Sequence, residues 1–143
     1  PRFSAKRRTY RYYIHKEKSP FKNQFSTLFL NDLDFDRMNQ AAKYLLGNHD
    51  FTSFSKANTD VKTHNCEVFS AKWIIVNEED AYFEYSANRF LRNMVRATVG
   101  TLFDVGMGKL SPEQFNHILQ AQDRTKAGSS APAQGLFLWE IIY

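Results

Sequence analysis

Three arginines stand close together in the segment from Ala87 to Gly100, and their spacing suits the binding of an anion. Arg89, Arg92 and Arg96 are three and four residues apart, which on a helix places them on one face. Asn88 precedes them as a good N-cap. The start of a helix favours anions over cations, so arginines there predict an external phosphate or carboxylate partner.

The three arginines are not equivalent. Apolar and small residues surround Arg96 in sequence, with no acid nearby. A buried arginine must be paired, because an unpaired buried charge costs several kcal/mol. We therefore expect Arg96 to have a partner from elsewhere, although a surface position is the commoner one for a helical arginine. For Arg89 and Arg92, phosphate contact and a plain solvated face are equally compatible with the sequence.

A basic, aromatic segment precedes this helix. Residues 1–22 hold eight Lys and Arg against the single acid Glu17, and five aromatics are interleaved with them. Bases attract phosphate and aromatic rings stack on nucleobases, so the segment suits RNA; a solvated, charged strand beside an ordinary core is the alternative. Among Tyr10, Tyr12 and Tyr13, one tyrosine is available for stacking or proton transfer, and the sequence does not decide which.

Composition limits the remaining classes of function. The 143 residues, 43% hydrophobic and 24% charged, predict one globular domain over 1–143. No apolar run is long enough to span a membrane. Cys66 is the only cysteine and the four histidines are scattered, which predicts no metal site and a reducing cytoplasm. Phosphate-binding loops, dinucleotide turns and nucleophile elbows are all missing from the sequence.

These residues must be positioned by a mixed set of elements. Alternation over Arg8–His15 predicts a strand with a basic side, and Asp34 caps a helix that Gly47 ends. Residues 49–54 form a compact turn carrying two aromatics. Two hairpin strands, 66–76 and 81–87, precede the arginine helix. The fold class is α+β, with helices packed on a largely antiparallel mixed sheet.

The sequence pattern in the last third of the chain predicts a short helix, a long loop and a final strand. Ser111 opens a capping box, and Leu136 to Tyr143 alternates as a strand. Between them, Asp123–Gly135 is a loop of the length that is usually functional or disordered. A local ion pair is the simplest expectation for Asp123 and Arg124.

Four motifs in this order resemble the C-terminal domain of the TruA-type tRNA pseudouridine synthases. The first is Arg2-Phe3-Ser4-Ala5-Lys6 followed by Arg8-Thr9-Tyr10-Arg11-Tyr12, and the second is His49-Asp50-Phe51-Thr52-Ser53-Phe54. The third joins Phe90-Leu91, Met94-Val95-Arg96 and Val99-Gly100. The fourth comprises Asp123-Arg124, Ala127-Gly128, Ala131-Pro132-Ala133 and Gly135-Leu136.

The resemblance implies a function for the parent enzyme. The family converts uridine to pseudouridine in the anticodon stem-loop of tRNA, just 3′ of the anticodon at tRNA positions 38, 39 and 40, without cofactor or metal, and works as a homodimer. Its covalent chemistry belongs to an aspartate in a Gly-Arg-Thr-Asp motif of the N-terminal half, which this sequence lacks. We therefore expect the C-terminal half of a longer enzyme, inactive alone.

The resemblance also assigns roles to individual residues. Tyr10 is similar to the tyrosine that stacks on the target base and takes part in proton removal, Arg96 to the arginine that pairs with the missing aspartate, and Leu136 to an apolar residue of the pocket. The expected RNA contacts are Arg7, Arg8, Arg11, Arg89 and Arg92. A non-catalytic RNA-binding module and a dimerisation domain are the alternative functions for such a chain.

Overall fold

In the computed structural model, which describes residues 5–56 and 61–143, three α-helices pack on one sheet. The strands are β1 (Arg7–His15), β2 (Thr27–Leu28), β3 (Gly47–Asp50), β4 (Asn65–Ile75), β5 (Asp80–Ala87) and β6 (Leu136–Ile142). The helices are α1 (Phe35–Ala42), α2 (Met94–Gly106) and α3 (Pro112–Ala121). Arg2, Phe3 and Ser4 of the predicted motif lie outside the described residues. The predicted α+β class is confirmed.

The sheet is mixed but largely antiparallel, as predicted. Its strand order is β2-β1-β5-β4-β3. Strand β6 pairs with the first part of β1, and β2 pairs with the last part of the same edge of β1. Only the short β1–β2 pairing is parallel among the described strands. Tyr12 of β1 faces Leu136 of β6 in register. This pairing brings the two ends of the chain's described part together on one edge.

Helix α2 is the centre of the core. Eleven of its thirteen residues are buried, and the two that are not are Arg96 and Asp104. Such a helix, apolar almost all round, is stabilised by packing on every side rather than by one amphipathic face. Phe103 packs against Tyr12, Trp73 and Phe29. Arg96 is thus a charge carried on the most deeply embedded helix of the fold.

The predicted helical arginine ladder is wrong. Helix α2 begins at Met94, and its N-cap is Asn93, with a left-handed φ of 66°. Arg89 and Arg92 therefore precede the helix and share no helical face with Arg96. Asn88 does not cap it either, because its side chain accepts a hydrogen bond from the backbone N–H of Glu67. The left-handed residue redirects the chain into the helix, and sequence periodicity carries no signal for it.

Other predicted elements are confirmed or adjusted. Asp34 caps α1, and Ser111 and Gln114 form the capping box of α3. The segment predicted as a compact turn is instead the end of β3 followed by a 3₁₀ turn, Thr52–Phe54. The long loop contains two 3₁₀ turns, Arg124–Lys126 and Ala133–Gly135. Within the described residues no helix is long and apolar enough to cross a membrane, and no side-chain cluster suits a metal ion.

Candidate functional site

A cleft at the start of α2 brings together three residues singled out in the sequence. Tyr10 of β1, Arg96 of α2 and Leu136 of β6 line one cavity of about 280 Å³, with residues 90–95 forming its other wall. Arg92 lines it too. Residues that are 126 positions apart in the chain meet here because β1 and β6 are neighbours. The cavity combines two aromatic rings, several apolar side chains and two guanidinium groups.

Aromatic rings form the base of this cleft. Tyr10 meets Phe90 edge to face, with 5.0 Å between ring centroids, and Phe90 meets the buried Tyr85 at the same distance. Edge-to-face contacts of this kind add stability beyond the apolar area they bury. Tyr10 is half-buried, so part of its ring is held firmly and part remains open to the cleft. A partly exposed aromatic ring therefore borders the cleft.

The structure also decides which of the clustered tyrosines is available. Tyr12 is fully buried, and its hydroxyl bonds to the Thr27 hydroxyl and donates to the Pro132 carbonyl. Burial raises the pKa of Tyr12, against the hydrogen bond from Thr27 and the charge of Arg96. Tyr13 packs on Tyr82 and Phe137 and accepts a bond from Arg11. Tyr10 alone of the three lines the cleft.

Arg96 is fixed by one nitrogen only. Its Nε donates to the Ala131 carbonyl at 2.7 Å, and the Ala131 N–H donates to the Arg96 carbonyl at 2.9 Å. Among the described residues, no acceptor or carboxylate contacts its two terminal nitrogens. Arg96 is half-buried. A half-buried guanidinium with both terminal nitrogens available is suited to bidentate binding of an anion.

The loop from Asp123 to Gly135 holds this arginine in place. Within the loop, the Ser130 hydroxyl accepts hydrogen bonds from Asn93 Nδ2 at 2.6 Å and from Arg124 Nη2 at 3.2 Å. Arg124 Nη1 also donates to the Gly128 carbonyl at 2.9 Å. Arg124 therefore braces the loop internally, and the predicted local ion pair with Asp123 is wrong. Asp123 instead accepts hydrogen bonds from Thr125.

Close backbone contact fastens the loop to α2. A Cβ on Gly100 would lie 1.8 Å from the Ser129 carbonyl oxygen, so only glycine lets the loop approach. At the next residue of the helix, the Thr101 hydroxyl accepts the Gly128 N–H at 3.0 Å. The loop thus lies flat on the helix and presents the Ala131 carbonyl to Arg96. A long loop with few regular hydrogen bonds is in this way held rigidly.

A second, more open cavity adjoins the first. Its lining consists of Lys56, Arg92, Asn93, Arg96 and Leu136, and its volume is about 470 Å³. Four of these residues line the first cavity as well. The N–H of Lys56 donates to the Arg92 carbonyl at 2.9 Å and joins the two segments. Three cations and no acid among the described residues surround this space.

The remaining predicted RNA contacts lie elsewhere. Arg11 is ion-paired with Glu84 at 3.1 Å and stacks on Tyr82 and Trp139. Strand alternation places Arg11 and Arg7 on the sheet face opposite Tyr10, whereas Arg8 shares the Tyr10 face.

Arg89 likewise lies apart from the cleft lining. It donates to the carbonyls of Thr63 and Asn65 at 3.0 and 3.1 Å. For Arg7, Arg8, Arg11, Arg89 and Arg92, RNA contact stays a prediction. The cleft itself unites only Tyr10, Arg92, Arg96 and Leu136 of the eight residues predicted.

Sequence reasoning missed three residues of this site. Asn93 and Lys56 are isolated polar residues in the sequence, so no pattern indicated a role for them. Arg124 was predicted to pair with its neighbour Asp123 rather than with the rest of the loop. The Lys56 position could have been suspected, because it lies two residues after the motif of residues 49–54. Their roles depend on contacts between distant segments, which spacing along the chain does not encode.

Comparison with known proteins identifies the relatives of this chain. Residues 41–143 match the family described as tRNA pseudouridine synthase. The chain is 51% identical to tRNA pseudouridine synthase A of Porphyromonas gingivalis and of Bacteroides fragilis, and 40% identical to that of Bacillus subtilis. Each alignment covers 99% of the chain but 57%, 56% and 58% of the relative. The chain therefore spans little more than half the length of these proteins.

Proposed function

The chain belongs to the tRNA pseudouridine synthase family, and we propose that the whole protein isomerises uridine to pseudouridine in tRNA. The proposed target is the anticodon stem-loop just 3′ of the anticodon. The observation that carries the proposal is the meeting of Tyr10, Arg96 and Leu136 in one cleft. The motif resemblance assigns Tyr10 and Leu136 to contact with the target base, and Arg96 to pairing with the catalytic aspartate.

The cleft suits a nucleotide that has left its helix. The C1′ atom of a stacked, paired uridine is inaccessible, so the base must be extruded, which costs a few kcal/mol. The Tyr10 ring, held edge-on by Phe90, provides a stacking surface that offsets this cost. Leu136 provides an apolar contact on the other side of the cavity.

The isomerisation needs a carboxylate and a proton acceptor but no oxidant. The bond between C1′ and N1 breaks and one between C1′ and C5 forms, while C5 loses a proton and N1 gains one. We assign the nucleophile to an aspartate outside these 143 residues, and Arg96 to the pairing that keeps it ionised. The available terminal nitrogens of Arg96 support this role. Tyr10 takes part in proton removal from C5.

Charge distribution supports RNA as the substrate. Arg92 lines the cleft and Arg8 shares the strand face of Tyr10, so both are proposed phosphate contacts. Arg7, Arg11 and Arg89 belong to the proposal as outlying contacts. We further propose that residues 1–143 form the C-terminal half of the enzyme, which is cytoplasmic, works as a homodimer and needs no cofactor. The half on its own is expected to be inactive.

The proposal is tested with the whole protein and a tRNA transcript labelled with tritium at C5 of uridine. We expect tritium release and pseudouridine at the anticodon arm. A non-catalytic RNA-binding module, the competing function, would bind the transcript without releasing tritium. The same assay on the 143-residue chain should give no release, and measurable turnover by that chain would refute the assignment of the nucleophile to a missing segment.

A further inference from the structure

We propose that an apolar patch at the far end of β1 from the cleft is the surface through which two copies of this chain associate. Its side chains line one hollow of about 380 Å³ and include Tyr13, Phe21, Phe25 and Val76. The hollow adjoins Asp80, which pairs with His15 at the end of β1, whereas Tyr10 of the cleft lies five positions earlier in that strand. The inference rests on the proposed function for the homodimer and deepens it by naming the interface and the contacts across it.

The patch is an apolar surface that the described part of the chain leaves uncovered. Phe21 is 81% exposed, Phe25 61% and Val76 59%. Single exposed apolar residues are ordinary on a protein surface, but these three border the same hollow. A contiguous apolar patch with a charged surround is typical of a surface that binds another protein.

The loop that carries the two phenylalanines is held in place by hydrogen bonds. The Asn23 N–H donates to the Ser19 carbonyl at 3.1 Å and closes the loop. The buried His15 ring ties the loop to β1, because its Nε2 bonds to the Asn23 side chain at 3.0 Å and its Nδ1 to the Ser26 hydroxyl at 2.8 Å. An ordered segment therefore presents the exposed rings, which lowers the entropy cost of association.

The charges around the patch favour a protein over RNA as its partner. Lys22, which lines the hollow, is ion-paired with Asp80 at 3.1 Å and lies 3.8 Å from Glu17. Residues 16–22 and 77–80 together set three lysines against four acids. Because binding to a phosphate backbone needs an excess of cations, this surface does not suit RNA.

The charges that remain unpaired are complementary to each other. Among the described residues, no acid contacts the exposed Lys18, three positions before Phe21, and no base contacts the exposed Glu78, two positions after Val76. When two identical copies meet about a two-fold axis, each contact between two different residues occurs twice, once in each direction. Lys18 of each copy then pairs with Glu78 of the other.

The apolar part of the patch is also complementary to itself. It offers a protruding ring, Phe21, beside a hollow bordered by Phe25 and Val76. In a two-fold dimer, the Phe21 ring of each copy fills the hollow of the other. Aromatic anchors buried in this way carry much of the binding energy of an interface. Another segment of the same chain would cover the patch only once and would need no such reciprocity.

The first test is sedimentation equilibrium of the whole protein over a range of concentrations. We expect the wild-type protein to be a dimer, and Phe21→Asp to weaken its association at least about thirtyfold, as when an aromatic anchor is removed. Leu46→Asp is the matched control. Leu46 is also an exposed apolar residue but does not line the hollow, so this variant should associate like the wild-type protein.

Charge reversal tests whether the partner is a second copy. Lys18→Glu and Glu78→Lys each place like charges at both ionic contacts of a homodimer, so each variant alone should associate about tenfold more weakly at low salt. An equal mixture of the two variants forms a heterodimer in which both contacts again join opposite charges. Its association should return to near the wild-type value, which a contact within one chain could not do.

The outcomes separate this inference from the proposed function. A monomeric wild-type protein, a dimer insensitive to Phe21→Asp, or a mixture that associates no better than its components would each overturn the interface. Tritium release from labelled tRNA is measured separately. Turnover by a protein that fails these tests would overturn the interface alone, whereas a dimer that passes them without turnover would support the interface and refute the isomerase.

Discussion

Arg96 and Ala131 hold each other through two hydrogen bonds of opposite direction. The guanidinium Nε donates to the Ala131 carbonyl at 2.7 Å, and the Ala131 N–H donates to the Arg96 carbonyl at 2.9 Å. A side chain with several rotatable bonds is thereby ordered before any ligand arrives, which lowers the entropy cost of binding. The loop that supplies Ala131 is consequently part of the site, although it lies far from Arg96 in sequence.

The first prediction concerns the brace within that loop. Arg124→Ala removes the bonds to Gly128 and Ser130, and we expect a loss of about 1–3 kcal/mol in the free energy of unfolding, as for other bonds to a charged group. Urea unfolding of the chain measures this directly. Lys126→Ala, an exposed neighbour, should change the same quantity by less than about 0.5 kcal/mol. Equal free energies of unfolding in the two variants would show that the Arg124 side chain does not stabilise the loop.

A second prediction tests the contact between the loop and α2. Gly100→Ala would place a Cβ against the Ser129 carbonyl, so the loop must move away from the helix. We expect a loss of about 1–3 kcal/mol in unfolding free energy, typical of overpacking, together with reduced turnover in the whole protein because Arg96 loses its anchor. Gln120→Ala, exposed on α3, is the control. Wild-type stability in Gly100→Ala would show that the loop does not lie on the helix.

The third prediction separates the two roles of Tyr10. Tyr10→Phe keeps the ring and its contact with Phe90 but removes the hydroxyl. In the whole protein, tRNA affinity should stay within about twofold, since stacking needs only the ring. Turnover should be abolished, because the proposed role of the hydroxyl is in proton removal from C5. Tyr13→Phe, on the opposite face of the same strand, should turn over normally, and a near-normal rate for Tyr10→Phe would restrict Tyr10 to stacking.

A fourth prediction follows from the buried thiol. Burial raises the pKa of Cys66 from 9.0 to about 11, although the charge of Arg89 opposes this. In the unfolded chain the thiol ionises near its ordinary value, so between pH 9 and 11 the folded state retains a proton that the unfolded state has released. Stability should therefore fall as pH rises through this window.

Cys66→Ala provides the matched comparison for the thiol. The decline in unfolding free energy between pH 9 and 11 should be shallower in this variant, because the other groups that titrate are unchanged. Parallel curves for the two proteins would mean that Cys66 ionises equally in both states. The same burial should make the native thiol slow to react with alkylating reagents at neutral pH.

Much of the fold was predictable because local patterns determine it. The capping residues Asp34 and Ser111, the alternation of β1 and the hairpin of β4 and β5 are all encoded over short stretches of sequence. The helical ladder failed for a physical reason. Asn93 takes a left-handed conformation that starts α2 five residues later than Asn88 would, and the apolar spacing on either side continues across this break.

The site was predictable only in part. Motif resemblance indicated Tyr10, Arg96 and Leu136, and the structure brings them together. Strand alternation already places Arg7 and Arg11 on the face opposite Tyr10, whereas only the structure shows which of the two faces of β1 packs on the helices. Motif resemblance could not indicate Lys56, which lines the adjoining cavity and whose backbone N–H donates to the Arg92 carbonyl. Long-range pairing, rather than residue type, decides these positions.

Single-turnover pseudouridine formation by Arg96→Ala tests most directly whether Arg96 is half of a catalytic ion pair. The measurement uses the whole protein in excess over labelled tRNA, with binding measured in parallel. We predict that Arg96→Ala binds tRNA within about tenfold of wild type and folds normally, yet loses at least about 10²–10³ in rate, as when a charge-stabilising group is removed. A rate near that of the wild-type protein would contradict the account.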